Sequence, residues 1–123
     1  MEKVICVLVL YNPNIDLLTK VVSAILPQVD LLWISDNSVE SLNLSSILET
    51  SSKIVYKKMP GNIGIAAAQN YGINYAVEHN YNYLFYLDQD SIVPEDIISK
   101  LLFQYRFLLS NSIIVGAVWT TGF

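Results

Sequence analysis

Residues Tyr83 to Asp90 read YLFYLDQD. The five apolar or aromatic residues of this stretch are typical of a short buried strand. Two carboxylates, Asp88 and Asp90, follow the strand with one residue between them. Like charges placed so close together beside a core are costly unless a cation neutralises them. Because Mg²⁺ and Mn²⁺ prefer carboxylate, water and phosphate oxygens, this Asp-x-Asp motif indicates a divalent metal that holds a diphosphate.

A simpler explanation of the same two aspartates remains open at this point. Asp is common in turns after strands, because its side chain hydrogen-bonds the local backbone. The choice between a turn and a metal site depends on what the other strand ends carry.

The rest of the chain alternates apolar, β-type runs with amphipathic helical patterns. Such alternation predicts an α/β fold, a Rossmann-like, mostly parallel sheet flanked by helices. The predicted strands are Val4–Leu10, Leu31–Ser35, Lys53–Lys57, Tyr83–Leu87 and Ile113–Val118. The predicted helices run from Asn14 to Leu26, from Ser41 to Glu49, from Gly64 to Glu78 with Asn62 as a cap, and onward from Pro94.

Polar or turn-forming residues follow four of the predicted strands. They are Tyr11-Asn12, Asp36-Asn37-Ser38, the GNIG segment at 61–64, and Asp88-Gln89-Asp90. The carboxyl ends of parallel strands meet at one edge of the sheet, where ligands of such folds bind. We therefore expect these residues to form one nucleotide-type site.

Composition restricts the possible partners. The chain has 123 residues, 53% of them hydrophobic and 15% charged, which predicts one folded domain rather than a disordered segment. The net charge is −4, and Lys57-Lys58 is the only pair of adjacent basic residues, so nucleic acid is not an expected partner. Cys6, the single cysteine, lies in an apolar run; it predicts a buried thiol and is compatible with a reducing, cytoplasmic environment.

Four segments together resemble a known family. They read LYNP at 10–13, SDNS at 35–38, NIGIAAAQNYGI at 62–73 and LDQDS at 87–91. The set resembles the family 2 glycosyltransferases of GT-A fold, and in particular their rhamnosyltransferase-like branch, over nearly the whole chain. The resemblance implies that residues 1–123 form a single nucleotide-sugar-binding domain, the donor half, which ends before the acceptor-binding half.

The resemblance also implies roles for residues at the strand ends. Tyr11, with Asn12 beside it, would lie against the nucleotide base. Asp36 would accept a hydrogen bond from the pyrimidine ring N–H. Asp88 would approach the ribose or the water shell of the metal, and Asp90 would bind the Mn²⁺ or Mg²⁺ that bridges the sugar diphosphate.

The third helix would complete the nucleotide site. Asn62, Gly64 and Asn70 would shape the loop and helix beneath the nucleotide. Many family members carry Arg at the position of Gln69, and Gln cannot supply that positive charge to a phosphate.

The implied reaction is metal-dependent, inverting transfer of a sugar from a thymidine or uridine diphosphate donor, with rhamnose as the suggested sugar. The expected acceptor is a glycan or a lipid-linked glycan of a cell-surface polysaccharide. The family's catalytic base is expected beyond Phe123, so this fragment alone is expected to bind without catalysing. The full-length enzyme is expected in the cytoplasm, with peripheral contact at the inner face of the membrane.

Two other classes of protein stay open as alternatives. A sugar nucleotidyltransferase usually has a Gly-rich loop with a basic residue after its first strand, where this chain has Tyr11-Asn12-Pro13-Asn14. A receiver-like module has adjacent acids after strand one and an Asp after strand three, where this chain has Tyr11-Asn12 and Met59-Pro60-Gly61. A dinucleotide-binding site is disfavoured because no Gly-x-Gly-x-x-Gly follows the first strand.

Overall fold

Four strands and four α-helices alternate along residues 2–111, the part of the chain that the computed structural model describes. The strands are β1 (Val4–Leu10), β2 (Leu31–Asp36), β3 (Ile54–Lys58) and β4 (Tyr83–Leu87). The helices are α1 (Ile15–Ile25), α2 (Ser45–Leu48), α3 (Ile65–Glu78) and α4 (Ile97–Ser110), and a 3₁₀ turn, Leu26–Gln28, follows α1.

The four strands form one parallel sheet in the order β3-β2-β1-β4. This arrangement confirms the predicted Rossmann-like α/β fold. The chain moves outward from β1 to β2 and β3, and then crosses to the other side of β1 to form β4. The direction of winding therefore reverses beside β1, and ligands of open α/β sheets bind at such a switch point. The predicted strand Ile113–Val118 lies outside the described residues.

The central strand is buried on both of its faces. Val4, Cys6, Leu8 and Leu10 pack into a larger core with α1, α2 and α4. The alternate residues, such as Val7, pack into a smaller core on the opposite face, beside α3. Alternate side chains of β1 thus contribute to both cores. Burial raises the pKa of the Cys6 thiol, as expected for an inert side chain.

The helix α3 approaches the sheet closely because its buried face carries small residues. Ala68, Gly72 and Ala76 are its buried residues, and they lie at intervals of four. The Ser35 hydroxyl accepts a hydrogen bond from the Trp33 indole N–H and donates one to the Ala68 carbonyl, which ties α3 to β2. This short separation determines where the N-terminus of α3 lies relative to the strand ends.

Three helix starts differ from the sequence-based predictions. The helix α4 begins at Ile97 rather than at Pro94, because Pro94 lies in a turn in which its carbonyl accepts the Ile97 N–H. Gly64 rather than Asn62 caps α3, and α2 is a single turn beginning at Ser45. Turn chemistry at Asn and Pro residues outcompeted the helical pattern at each of these places. Among residues 2–111, no helix has the length and apolar character needed to cross a membrane.

The close packing of α3 predicts that Gly72→Ala destabilises the fold. A β-carbon at Gly72 would lie 2.8 Å from Val7 Cγ2 and 3.0 Å from Trp33 Cδ1, inside van der Waals contact. We expect the free energy of unfolding to fall by about 1–3 kcal/mol in urea titrations. Gly61→Ala is the matched control, because a β-carbon there meets nothing within 4 Å, and it should change stability by less than about 0.5 kcal/mol. Equal stabilities for the two variants would show that α3 does not pack this closely.

Candidate functional site

A cleft of about 430 Å³ opens where β1 and β4 end, at the switch point of the sheet. Its walls come from the exits of β1, β2 and β4 and from the loop and first turns of α3. The lining residues are Val9, Tyr11, Asn37, Asn62, Gly64, Ile65, Gln69, Leu87, Asp88, Gln89 and Asp90.

Six of the nine predicted site residues line this cleft, namely Tyr11, Asn62, Gly64, Gln69, Asp88 and Asp90. They come from three separate segments of the sequence, and the parallel sheet brings them together. The other three, Asn12, Asp36 and Asn70, do not line it. The individual roles predicted for all nine residues stay predictions.

Asp36 is fully buried at the end of β2, and both of its carboxylate oxygens accept hydrogen bonds from neighbouring residues. One carboxylate oxygen accepts a hydrogen bond from the Tyr56 hydroxyl at 2.5 Å, and the other accepts the Ser38 backbone N–H at 2.9 Å. Burial raises the pKa of Tyr56, and the hydrogen bond to Asp36 and its negative charge raise it further. The predicted hydrogen bond from a pyrimidine would have to reach a carboxylate that is enclosed in this structure.

Asn37 occupies the position at the β2 exit that faces the cleft, and the sequence-based prediction did not select it. Successive residues of a strand point to opposite faces, so Asn37 shares the α3 face with Ser35, whereas Asp36 shares the opposite face with Ile34. Its side-chain Nδ2 donates to the Gly64 carbonyl at 3.1 Å, which joins β2 to the cap of α3. Its Oδ1 is buried and has no hydrogen-bond partner among the described residues.

The N-terminus of α3 is open toward the cleft. Gly64 caps the helix with a φ of 86°, a left-handed value that favours glycine, and no side chain caps the first turn. The Asn62 Oδ1 instead accepts the Gly64 N–H at 3.1 Å, outside the helix. Backbone N–H groups at a helix start carry partial positive charge and favour an anionic group, and Gly64 and Ile65 both line the cleft.

Asp88 and Asp90 lie in a turn that follows β4 directly. The Ser91 N–H donates to the Asp88 carbonyl at 3.2 Å and closes this turn. Both aspartates are exposed, whereas Leu87 before them is buried. The turn thus ends the buried strand and presents two carboxylates to the cleft, so the simple turn and the paired-carboxylate explanations of the motif are compatible.

The carboxylate oxygens of Asp88 and Asp90 suit a hard divalent cation. Within residues 2–111, no group of three or more His, Cys, Asp or Glu residues is arranged to enclose a metal. A cation at this turn would therefore complete its coordination with water and ligand oxygens, which is the usual mode for Mg²⁺.

Gln89, between the two aspartates, was not predicted as a site residue. Its side-chain Oε1 accepts the Tyr11 N–H at 2.9 Å, and its Nε2 donates to the Tyr11 carbonyl at 3.0 Å. The next residue, Asn12, has a left-handed φ of 42° and donates its N–H to the Ser38 Oγ at 2.9 Å. The exit of β1 is consequently held from both neighbouring strands.

The family described as Glycosyl transferase family 2 matches residues 5–118, which include all the strands and helices described above except Val4, the first residue of β1. The chain belongs to glycosyl transferase family 2.

One named protein is also similar in sequence to this chain. It is the dTDP-rhamnosyl transferase RfbF of Shigella flexneri, 31% identical over 100 residues, an alignment that covers 81% of this chain. The same alignment covers 33% of RfbF, so the chain spans about a third of the length of that relative. The predicted membership in a rhamnosyltransferase-like part of the family is thereby confirmed.

The hydrogen bond from the half-buried Tyr56 to the buried Asp36 predicts that Tyr56→Phe is destabilising. Loss of the hydroxyl leaves one carboxylate oxygen of Asp36 buried without its partner. We expect the free energy of unfolding to fall by about 1–3 kcal/mol, measured by urea titration at neutral pH. Tyr86→Phe serves as the control, because that side chain on β4 is half exposed, and its effect should stay within about 0.5 kcal/mol. A Tyr56 variant as stable as the Tyr86 variant would contradict the proposed importance of this hydrogen bond.

Proposed function

We propose that this chain binds the nucleoside-diphosphate-sugar donor of a glycosyltransferase in the cleft between β1 and β4. The observation that supports it best is the content of that cleft. It joins two exposed carboxylates, an open helix N-terminus and an exposed tyrosine, and the described residues that line it include no Lys or Arg. A diphosphate placed there meets negative charge without a basic side chain, and it binds only if a cation compensates.

The donor set at the β4 turn fits the cation that such a ligand requires. Asp90, with Asp88 beside it, would hold Mn²⁺ or Mg²⁺, while the phosphates supply the remaining oxygens. A metal held by these two carboxylates would supply Lewis-acid stabilisation to the departing nucleoside diphosphate. Gln69 offers hydrogen bonds but no charge to this region, which increases the dependence on the metal.

The nucleoside would lie on the side of the cleft that Tyr11 forms. Tyr11 is 47% exposed, and its backbone is held by Gln89, so the ring offers a preplaced surface for a base. The similar protein RfbF is a dTDP-rhamnosyl transferase, and this supports a thymidine diphosphate donor and rhamnose as the transferred sugar. Uridine diphosphate donors are the second choice.

The reaction proposed for the whole enzyme is inverting sugar transfer to a glycan or lipid-linked acceptor in the synthesis of a cell-surface polysaccharide. A general base would deprotonate the acceptor hydroxyl, which then attacks the anomeric carbon. We assign that base to none of residues 2–111, because the carboxylates among the residues that line the cleft are Asp88 and Asp90, and both have a proposed role at the diphosphate. Binding of the donor, rather than turnover, is therefore the activity to measure in this chain.

The proposal predicts metal-dependent binding of thymidine diphosphate. In calorimetric titrations of the 123-residue chain, binding should be measurable with Mn²⁺ and lost after its removal by a chelator. Asp90→Ala should weaken the binding in Mn²⁺ by at least about tenfold, because even the outer partners of metal ligands contribute about 10–100-fold to metal affinity. Uridine diphosphate titrated in parallel ranks the two bases.

Glu78→Gln is the charge-matched control for this experiment. Glu78 is an exposed carboxylate at the far end of α3, away from the cleft, so its loss changes the net charge equally. The control variant should bind thymidine diphosphate as the wild-type chain does. Binding by the wild-type chain that persists without metal, or that survives Asp90→Ala unchanged, would contradict the role of the aspartates.

A further inference from the structure

The Gln89 side-chain amide makes two hydrogen bonds with the backbone of Tyr11, one as acceptor and one as donor. The Tyr11 N–H donates to Gln89 Oε1 at 2.9 Å, and Gln89 Nε2 donates to the Tyr11 carbonyl at 3.0 Å. The orientation of the amide group follows from chemistry, since only its oxygen can accept the N–H and only its nitrogen can donate to the carbonyl.

This pair continues the β1–β4 ladder beyond the point where the backbone of β4 leaves it. Leu8 and Leu87 are the last matched residues of the two strands, and the chain then turns between Asp88 and Ser91. A turning backbone cannot stay in register with Tyr11. The primary amide of Gln89 has the donor and acceptor of a peptide group, and it takes the place of the missing strand residue.

The pairing joins the two walls of the cleft. Tyr11 lies on one wall, and Asp88 and Asp90 flank Gln89 on the other. Both polar atoms of the Gln89 amide, Oε1 and Nε2, hydrogen-bond the backbone of Tyr11. Any effect of this side chain on ligand binding should therefore act through the position of Tyr11. A side chain one methylene shorter, or one without the amide, cannot make both hydrogen bonds.

We propose that Gln89 is a positioning residue that holds Tyr11 at a set distance from the two carboxylates, so that base and diphosphate can be bound together. This inference rests on the proposed donor-binding function. Binding sites gain affinity when their groups are placed before the ligand arrives, because less ordering is needed on binding.

A double-mutant cycle on thymidine diphosphate binding in Mn²⁺ tests the inference. Gln89→Met keeps the side-chain length and removes both hydrogen bonds. It should weaken binding by up to about tenfold, because the ordering of Tyr11 that these bonds supply in the free chain must then occur on binding. In a Tyr11→Ala background the same change should weaken binding less than about twofold, because coupled residues are not additive. A role in folding alone would give equal losses in both backgrounds.

Two further variants make the result decisive. Gln89→Asn keeps the polar amide, which protects folding, but it is too short for both contacts and should lose affinity as Gln89→Met does. Gln28→Met is the matched control, since Gln28 also bridges backbone groups, those of Ala24, Pro94 and Ile98, away from the cleft. It should lower the melting temperature and leave the affinity within about twofold of wild type, as expected for a distant site.

The outcomes separate the two proposals. Wild-type affinity in both Gln89 variants, or equal losses with and without the Tyr11 ring, would overturn the positioning role while donor binding stands. Absence of any thymidine or uridine diphosphate binding by the folded wild-type chain would instead overturn the proposed function, and the positioning role with it.

Discussion

The strand β1 pairs in parallel with a strand on each of its sides, and this pairing fixes the position of the cleft. Since β2 and β4 run parallel to β1, their carboxyl ends reach the same edge of the sheet. Since the chain winds outward on one side of β1 and then crosses to its other side, the strand order leaves a switch point between β1 and β4. The cleft and its polar residues are a consequence of this topology.

Some polar side chains at that edge hold the loops through hydrogen bonds, and others leave their polar atoms exposed. Three of these side chains hydrogen-bond a backbone group or the Tyr56 hydroxyl and so hold the strand exits in place, namely those of Asp36, Ser38 and Gln89. Asp88 and Asp90 stay exposed and keep their oxygens for other partners. A binding site in this fold needs both kinds, because exposed groups are useful only when their backbone is well placed.

Sequence patterns predict the regular elements and the region of the site. They do not predict which of two adjacent polar residues faces the cleft. The apolar run of β1 and the pattern of α3 are strong signals, because burial on both faces or on one stripe leaves a clear period. Asp36 and Asn37 lie side by side in the same polar segment, and only one of them faces the cleft. The helices α2 and α4 begin later than the sequence predicts, because turns that contain Asn or Pro compete with the helix there.

The alternation of strands and helices, the burial of β1 on both faces and the polar residues at four strand ends can all be read from the sequence alone. These properties are local, because they follow from hydrophobic period and turn chemistry. Only the tertiary structure decided which polar residues became partners. The hydrogen bonds of Gln89 with Tyr11 span 78 positions of sequence, and that of Tyr56 with Asp36 spans 20. Such contacts depend on strand order and on the face to which each residue points, and no local pattern records either of them.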